Sequence, residues 1–297
     1  MLRVREHSSY EHQNVFLQKQ CIRQLDVKQQ SFMFTKILKI AKRNGIFIMK
    51  IYRIVALVTI ALVSFASAGH TAGKSKLTVG LVAVAGSSIY LNDKSRSALM
   101  PSISYKTETV TISFEKGLSY KFFDDGKATV SGAVAPRLRP YRSSYSADLS
   151  GMKRTNFYDG KLNASYNISR GLTTRFEIAS ELTNKFNGTA ANLSLSQFIP
   201  VWRQPFILTA GVKWYDSNRS NYFYGVNSNE VFGARTRYSP GSSTFPYISI
   251  NTFYPLTKRT NLFANVNVNF LPNNVVNSPI VTKKSSASLL LGLNYQF

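Results

Sequence analysis

The chain has 297 residues, enough for one large domain or two small ones. Its charge is lopsided, 37 Lys+Arg against 14 Asp+Glu for a net +23, with 44% hydrophobic residues, 13% aromatics, one Cys and three His. That composition excludes a polytopic helical membrane protein, a disordered tail, and a zinc or disulfide scaffold. A nucleic-acid binder and a β-rich envelope protein remain, and the order of residues decides between them.

Residues 1–48 are polar, basic and Gln-rich, and read as an upstream mis-start ahead of an initiator at Met49, a long leader being the alternative. Lys50 and Arg53 then precede an apolar run of 12 residues, Ile54 to Phe65, and Ala66-Ser67-Ala68 before Gly69 has the A-x-A form of a cleavage site. This pattern predicts a secretory signal peptide over 49–68. A membrane anchor is disfavoured, because the run is too short to span and no stop-transfer stretch follows. Removing 1–68 takes away Cys21, His7, His12, 11 Lys+Arg and 3 Asp+Glu. The remainder, beginning with a short tail over 69–75, keeps 26 positive and 11 negative charges, net +15, and His70 alone. A Cys-free exported chain suits a periplasmic route.

From residue 76 onward the hydrophobic pattern has period two, which predicts strands over 76–86, 98–107, 109–122, 127–139, 155–168, 171–184, 189–201, 205–216, 243–256, 260–271 and 285–297. In 172–182, Leu172, Phe176, Ile178 and Leu182 oppose Arg175, Glu177 and Glu181; in 261–271, Leu262, Ala264, Val266, Val268 and Phe270 oppose three asparagines. In 206–215, Phe206, Leu208, Ala210, Val212 and Trp214 oppose Thr209, Gly211 and Lys213; the last strand sets Ala287, Leu289, Leu291, Leu293 and Tyr295 against Ser286, Ser288, Asn294 and Gln296. Each strand is therefore half-buried, as in a soluble sandwich or a membrane barrel.

Three features favour the barrel. The strands match the roughly 9–11 residues that a tilted strand needs to cross a bilayer, against an ordinary length of about 5–6. Aromatics gather at strand ends, at Tyr90, Tyr105, Phe122, Phe123, Tyr158, Trp202, Trp214, Tyr215, Tyr254 and Phe297. Tight connections (169–171, 203–205, 257–260) also alternate with long ones (140–154, 216–243, 272–285), the arrangement of short periplasmic turns and longer extracellular loops. The expected fold is all-β, an antiparallel transmembrane barrel over 76–297 in the outer membrane of a Gram-negative cell. Eleven strands conflict with the even number of bacterial barrels. Either Glu115-Lys116-Gly117 is a turn or bulge within 109–122, or the segment from Val231 to Tyr238 hides a strand; twelve strands are favoured, ten being the alternative.

Gly117-Leu118-Ser119-Tyr120, Tyr224-Gly225-Val226 before a long loop, and Ser278-Pro279-Ile280-Val281 ahead of the final strand stand in an order and spacing that resembles the MipA/OmpV family of outer-membrane proteins across 76–297. Two departures stand out: Ser119 replaces the family's glycine, and the 140–154 loop is basic and Ser-rich where acid is expected. The resemblance implies an outer-membrane barrel with no catalytic residues to carry over. Some members are described as scaffolds joining a lytic murein transglycosylase to a peptidoglycan synthase, others as porin-like or adhesive. Gly292, Tyr295 and Phe297 have the form of a terminal strand recognised by barrel-assembly machinery.

Catalysis would need a positioned base, most often His, and only His70 remains, in the tail. Asp124-Asp125 before Gly126 read as turn chemistry. Glu177 and Glu181 are about 13 Å apart by strand rise, too far to share a proton, so no catalytic or cofactor-binding residue is expected. Metal ligands are missing too, a Ca²⁺ site in the loops staying open. Lys106, Lys121, Arg137, Arg139, Lys161, Arg175 and Lys213, against Glu115, Glu177 and Glu181, are expected to face the lumen, either selecting anions in an open pore or forming ion pairs in a plugged one. Lys94, Arg96, Arg142, Lys153, Arg154, Arg219, Arg235 and Arg237 fall in loops, placed to meet lipopolysaccharide or an acidic partner. The 216–243 loop, with Tyr222, Phe223 and Tyr224, is the choice for an inward fold. Nucleic acid is excluded as a partner by export. A scaffold for murein enzymes and a small anion-leaning porin are the two leading readings, with a barrel hydrolase third.

Overall fold

The computed structural model describes residues 75–93, 96–114, 116–201 and 204–297. The leader, the signal peptide with Ala66, Ser67, Ala68 and Gly69, and also His70, Lys94, Glu115 and Trp202, lie outside the described residues. The alternating segments become twelve antiparallel strands: β1 (Lys76–Gly86), β2 (Arg96–Lys106), β3 (Val110–Ser113), β4 (Gly117–Asp124), β5 (Ala128–Arg137), β6 (Phe157–Ser169), β7 (Leu172–Glu181), β8 (Thr189–Val201), β9 (Gln204–Tyr215), β10 (Ser243–Pro255), β11 (Thr260–Phe270) and β12 (Ser285–Gln296). Each pairs with its sequence neighbours, and β1 pairs with β12 from Thr78 opposite Gln296 to Gly86 opposite Ser288, so the sheet closes on itself. Closure is what hydrocarbon demands, since an unpaired backbone N–H or C=O there finds no water. Leu81, Leu99, Leu193, Ile248 and Leu291 point outward and are exposed, while Ser194, Thr209 and Ser249 point inward and are buried.

The twelfth strand comes from splitting 109–122. Gly117 takes φ +72, and a Cβ there would lie 2.0 Å from the Val134 carbonyl oxygen, so only glycine makes this turn. Lys116 thus sits in a tight connection, its N–H donating to Ser113 Oγ at 3.0 Å. The 216–242 connection holds no strand; it contains helix α1 (Ser217–Tyr224) and two isolated bridges, Val226 with Tyr238 and Phe232 with Arg235. Arg139 lies past the end of β5, in a loop and off the strand face where it was expected.

Aromatics form an outward set at the short-turn end, with Tyr105, Phe122, Phe123, Tyr254 and Tyr295 all exposed. A bulge between Lys121 and Phe123 is the reason two consecutive phenylalanines share the outer face. Tyr90 and Tyr215 depart from the expected girdle: both turn into the long-loop end, where Tyr90 packs edge-on to Tyr141 at 4.7 Å and Tyr215 against Phe245 at 4.9 Å.

That end holds the apolar core of the molecule. Loops 87–95, 138–156, 216–242 and 271–284 contribute Ile89, Tyr90, Tyr141, Leu149, Met152, Tyr224, Val226, Val275, Ile280 and Val281, and the top of β10 adds Phe245. Burying each large apolar side chain is worth about 1.5–3 kcal/mol, which offsets the entropy of ordering such long connections. Cross-loop hydrogen bonds lock the arrangement: Ser278 Oγ donates to the Tyr224 carbonyl at 2.6 Å, and Tyr238 Oη to the Asn274 carbonyl at 2.8 Å. Helix α1 is started by Asp216, whose carboxylate accepts from the Arg219 N–H at 2.8 Å, and it stops at Gly225. The loops together make a plug. The inward fold expected of 216–243 is shared among four connections.

Candidate functional site

Three tiers of charge run down the barrel from this plug. The first fixes the plug to the wall and to itself. Arg219, on α1, reaches Asp159 on the lumen face of β6, with Nη2 to Oδ1 at 2.5 Å. Arg137 Nε donates to the other oxygen at 2.9 Å. Asp159 is fully buried, and the Arg219 guanidinium lies 5.6–5.7 Å from the ring centres of Phe157, Phe186 and Tyr215. Within the plug, Arg154 forks onto Glu230 at 2.5 and 3.1 Å and donates to the carbonyls of Tyr222 and Gly225. Arg235 donates to the carbonyls of Glu230, Asp148 and Ser150, drawing the 138–156 and 216–242 loops together. Burial pushes the Glu230 carboxyl upward, but the Arg154 guanidinium and the Asn227 N–H outweigh it and hold the group below the usual carboxylate range. Burial raises the phenols of Tyr90, Tyr141 and Tyr224, which stay neutral.

Three of the loop cations expected to face lipopolysaccharide are therefore internal. Arg154, Arg219 and Arg235 are buried because each completes a bidentate or multi-carbonyl site that only the folded plug assembles. Arg142, Lys153 and Arg237 are exposed.

The second tier is the lumen wall. Lys161 Nζ sits 3.1 Å from both oxygens of Glu177, across β6 and β7. Glu181 faces the same way by register but its oxygens are spent on a loop: they accept N–H bonds from Thr183, Lys185, Phe186 and Asn187 at 2.5–3.3 Å. Lys213 meets neutral partners, Asn269 Oδ1 at 2.9 Å and the Tyr247 ring at 4.4 Å. Arg175 is exposed on the lumen side, between Ser165 and Ser194 in register, with no carboxylate partner among the described residues. The third tier is the rim at the short-turn end, where Lys106 stands opposite Lys76 and Lys121 Nζ pairs with Asp124 at 2.6 Å.

Lumen space is shaped by aromatic rings laid over glycines on the facing strand. Phe263 covers Gly292, where an added Cβ would fall 2.1 Å from the ring, and Tyr247 covers Gly211. Gly292 therefore has a packing role inside the barrel, while Tyr295 faces outward and stacks edge-on with Phe297 at 4.9 Å.

Asp159 and Lys76 were not singled out by the sequence reading, although period-two alternation puts Asp159 on the same face as Lys161 and Lys76 on that of Thr78. The pairing of Arg154 with Glu230 carried no signal, the two being 76 positions apart in two loops. Asp125 is a turn residue as expected, its Oδ1 accepting from Lys127 and Ala128 N–H at 2.9 and 2.6 Å. Residues 75–297 contain neither His nor Cys, and among the described residues no three acidic, His or Cys side chains come together to hold a metal.

The family model described as MltA-interacting protein MipA matches residues 79–297. The chain is similar to the putative outer membrane protein YiaT of Escherichia coli (strain K12), 24% identical over 231 residues, covering 76% of this chain and 93% of the relative. The outer membrane protein OmpV of Vibrio cholerae is 24% identical over 64% of this chain and 74% of its own length. The MltA-interacting protein of Escherichia coli (strain K12) is 28% identical over 88 residues, 29% of this chain and 36% of the relative. Among solved structures, an outer membrane channel from Pseudomonas putida F1 has a TM-score of 0.40 at 12% identity, covering 77% of this chain and 97% of the channel. With its closed twelve-stranded barrel and a family match over 79–297, the chain belongs to the MipA family of outer-membrane proteins.

Proposed function

We propose that this chain is a non-enzymatic outer-membrane barrel that acts as a scaffold for peptidoglycan-remodelling enzymes, a lytic transglycosylase and a murein synthase. The observation that carries the reading is the similarity to the MltA-interacting protein, whose name states its partner. The plug supports it: a long-loop end filled by a packed core and buried ion pairs suits a platform better than an open conduit. In this reading the short turns face the periplasm and offer the docking surface, residues 49–68 direct export, and the strand ending at Tyr295 and Phe297 engages the assembly machinery. Exposed loop cations such as Lys153 and Arg237 would meet lipopolysaccharide. Capture tests it: detergent-extracted barrel, immobilised through its long-loop end, should retain a lytic transglycosylase from a periplasmic fraction. Failure with the purified enzyme at micromolar concentration would refute it.

A second reading, a small anion-leaning channel, is favoured by Lys213 and Arg175, lumen cations without a carboxylate ion pair among the described residues. Planar bilayers distinguish the two. Steady anion-selective conductance of the wild-type protein supports the channel, and silence supports the scaffold.

A further inference from the structure

The lumen faces of β5 to β9, with α1 above them, carry five cations, Arg137, Lys161, Arg175, Lys213 and Arg219, against three carboxylates. Asp159 satisfies Arg137 and Arg219, Glu177 satisfies Lys161, and Glu181 is consumed by loop N–H groups. Two cations are left without a carboxylate ion pair among the described residues, on the strands either side of β8. In register, Glu177, Asn192 and Lys213 form one row across β7, β8 and β9, and Arg175, Ser194 and Gly211 form the next. Lys213 and Arg175 therefore flank β8, two strand spacings across and two residues along, about 12 Å apart at the backbone. The strand between them offers only short polar side chains, and the Tyr247 ring, laid over Gly211, walls the site beside Lys213.

One further detail marks the place. Asn192 Oδ1 is buried with no hydrogen-bond partner, a state that native interiors avoid. Exchanging the amide oxygen and nitrogen would put an NH₂ donor, able to bond an anion, where the unpaired oxygen now stands. Lys213 is half-buried and Arg175 is exposed to the lumen, and two like charges on one wall favour a counter-anion between them. Access runs from the short-turn end, where lumen-facing Lys106, Arg175 and Phe253 are exposed, whereas residues under the plug are buried. Lys76, Lys106 and Arg175 rise from the rim toward the site and would draw anions inward.

We propose that Arg175, Asn192 and Lys213 form a lumen binding site for a small solute carrying carboxylate or phosphate groups, entered from the short-turn end. This goes beyond the scaffold reading and does not depend on it. The test is calorimetric titration of the detergent-folded barrel with inorganic phosphate and with succinate, at ionic strength held constant with sodium chloride. Saturable binding of at least one probe is expected, weakened tenfold or more in Lys213→Met and in Arg175→Met, and abolished in the near-isosteric Asn192→Asp, which adds a negative charge. Heat-modifiable gel migration certifies that each variant has closed its barrel, and Asn192→Asp serves if either cation variant does not. Binding of succinate alone assigns a carboxylate ligand, and of phosphate alone a phosphate ligand. Absence of saturable binding by either probe, or unchanged affinity in Asn192→Asp, overturns the site. Transglycosylase capture by the same variants reports on the scaffold separately.

Discussion

Asp159→Asn is the sharpest probe of the plug. The native carboxylate is fully buried and holds two guanidiniums at once, Arg219 from α1 and Arg137 from β5. Asparagine keeps the shape but removes the charge and leaves Arg219 buried among three aromatic rings without a counter-ion. Removing one partner of a buried ion pair costs about 3–5 kcal/mol, which multiplies the population of the undocked plug by roughly 10²–10⁴. The cost falls on docking of the plug, because β6 keeps its backbone pairing to β5 and β7. Trypsin reads this directly. Arg235 is buried while the plug is seated and becomes cleavable when it lifts, so nicking after Arg235 should accelerate in the folded variant while heat-modifiable migration persists. The effect should also be asymmetric. Arg219→Met leaves the buried Asp159 carboxylate still paired with Arg137, so no buried charge is stripped of its counter-ion and the loss should be smaller. Wild-type protease resistance in Asp159→Asn, or greater damage from Arg219→Met, would refute the reasoning.

Two further outcomes follow from the same geometry. Gly292→Ala places a Cβ against the Phe263 ring and should cost about 1–3 kcal/mol of overpacking. The urea midpoint of refolding in micelles measures it, and Phe263→Ala in the same chain should recover part of the loss. For Glu230, the folded carboxyl lies below its unfolded value, so the stabilisation it provides is fully present above about pH 4.3 and is lost as pH falls through the lower folded value. Tryptic or peptic sensitivity of the 216–242 loop should therefore rise on acidification from pH 5 toward pH 3, approximate bounds set by that reference value. Glu230→Gln should be sensitive already at neutral pH and flat across the range.

The barrel was readable because lipid acts on every second residue. A strand such as β11 must present Leu262, Ala264, Val266 and Phe270 to one side, and the asparagines between them have nowhere to go but the lumen. That constraint is local and repeats at each crossing, so alternation alone located the strands to within a few residues. It broke where one local event outweighed it. Gly117 turned a predicted single strand into two, and the bulge before Phe123 put neighbours on one face. The charged lumen was half legible for the same reason: Lys161, Arg175 and Lys213 follow from parity, but the diversion of Glu181 to loop N–H groups depends on how 182–188 folds back.

The plug obeys a different logic. Its core draws on residues from 89 to 281, and each loop read alone lacks the period that marks a strand or an amphipathic helix. A cation such as Arg154 looks solvated until Glu230, 76 residues later, is brought beneath it by a 3₁₀ turn whose own cap is the Asn227–Glu230 pair. Information of that kind lies in the joint geometry of four loops and in no one of them. The consequence for function is directional. Lipid specifies the wall, and the long loops fill one end with a buried apolar core and ion pairs. The features that neither the lipid-facing wall nor the packed loops account for are Arg175 and Lys213, without a carboxylate ion pair among the described residues, and the turns at the other end.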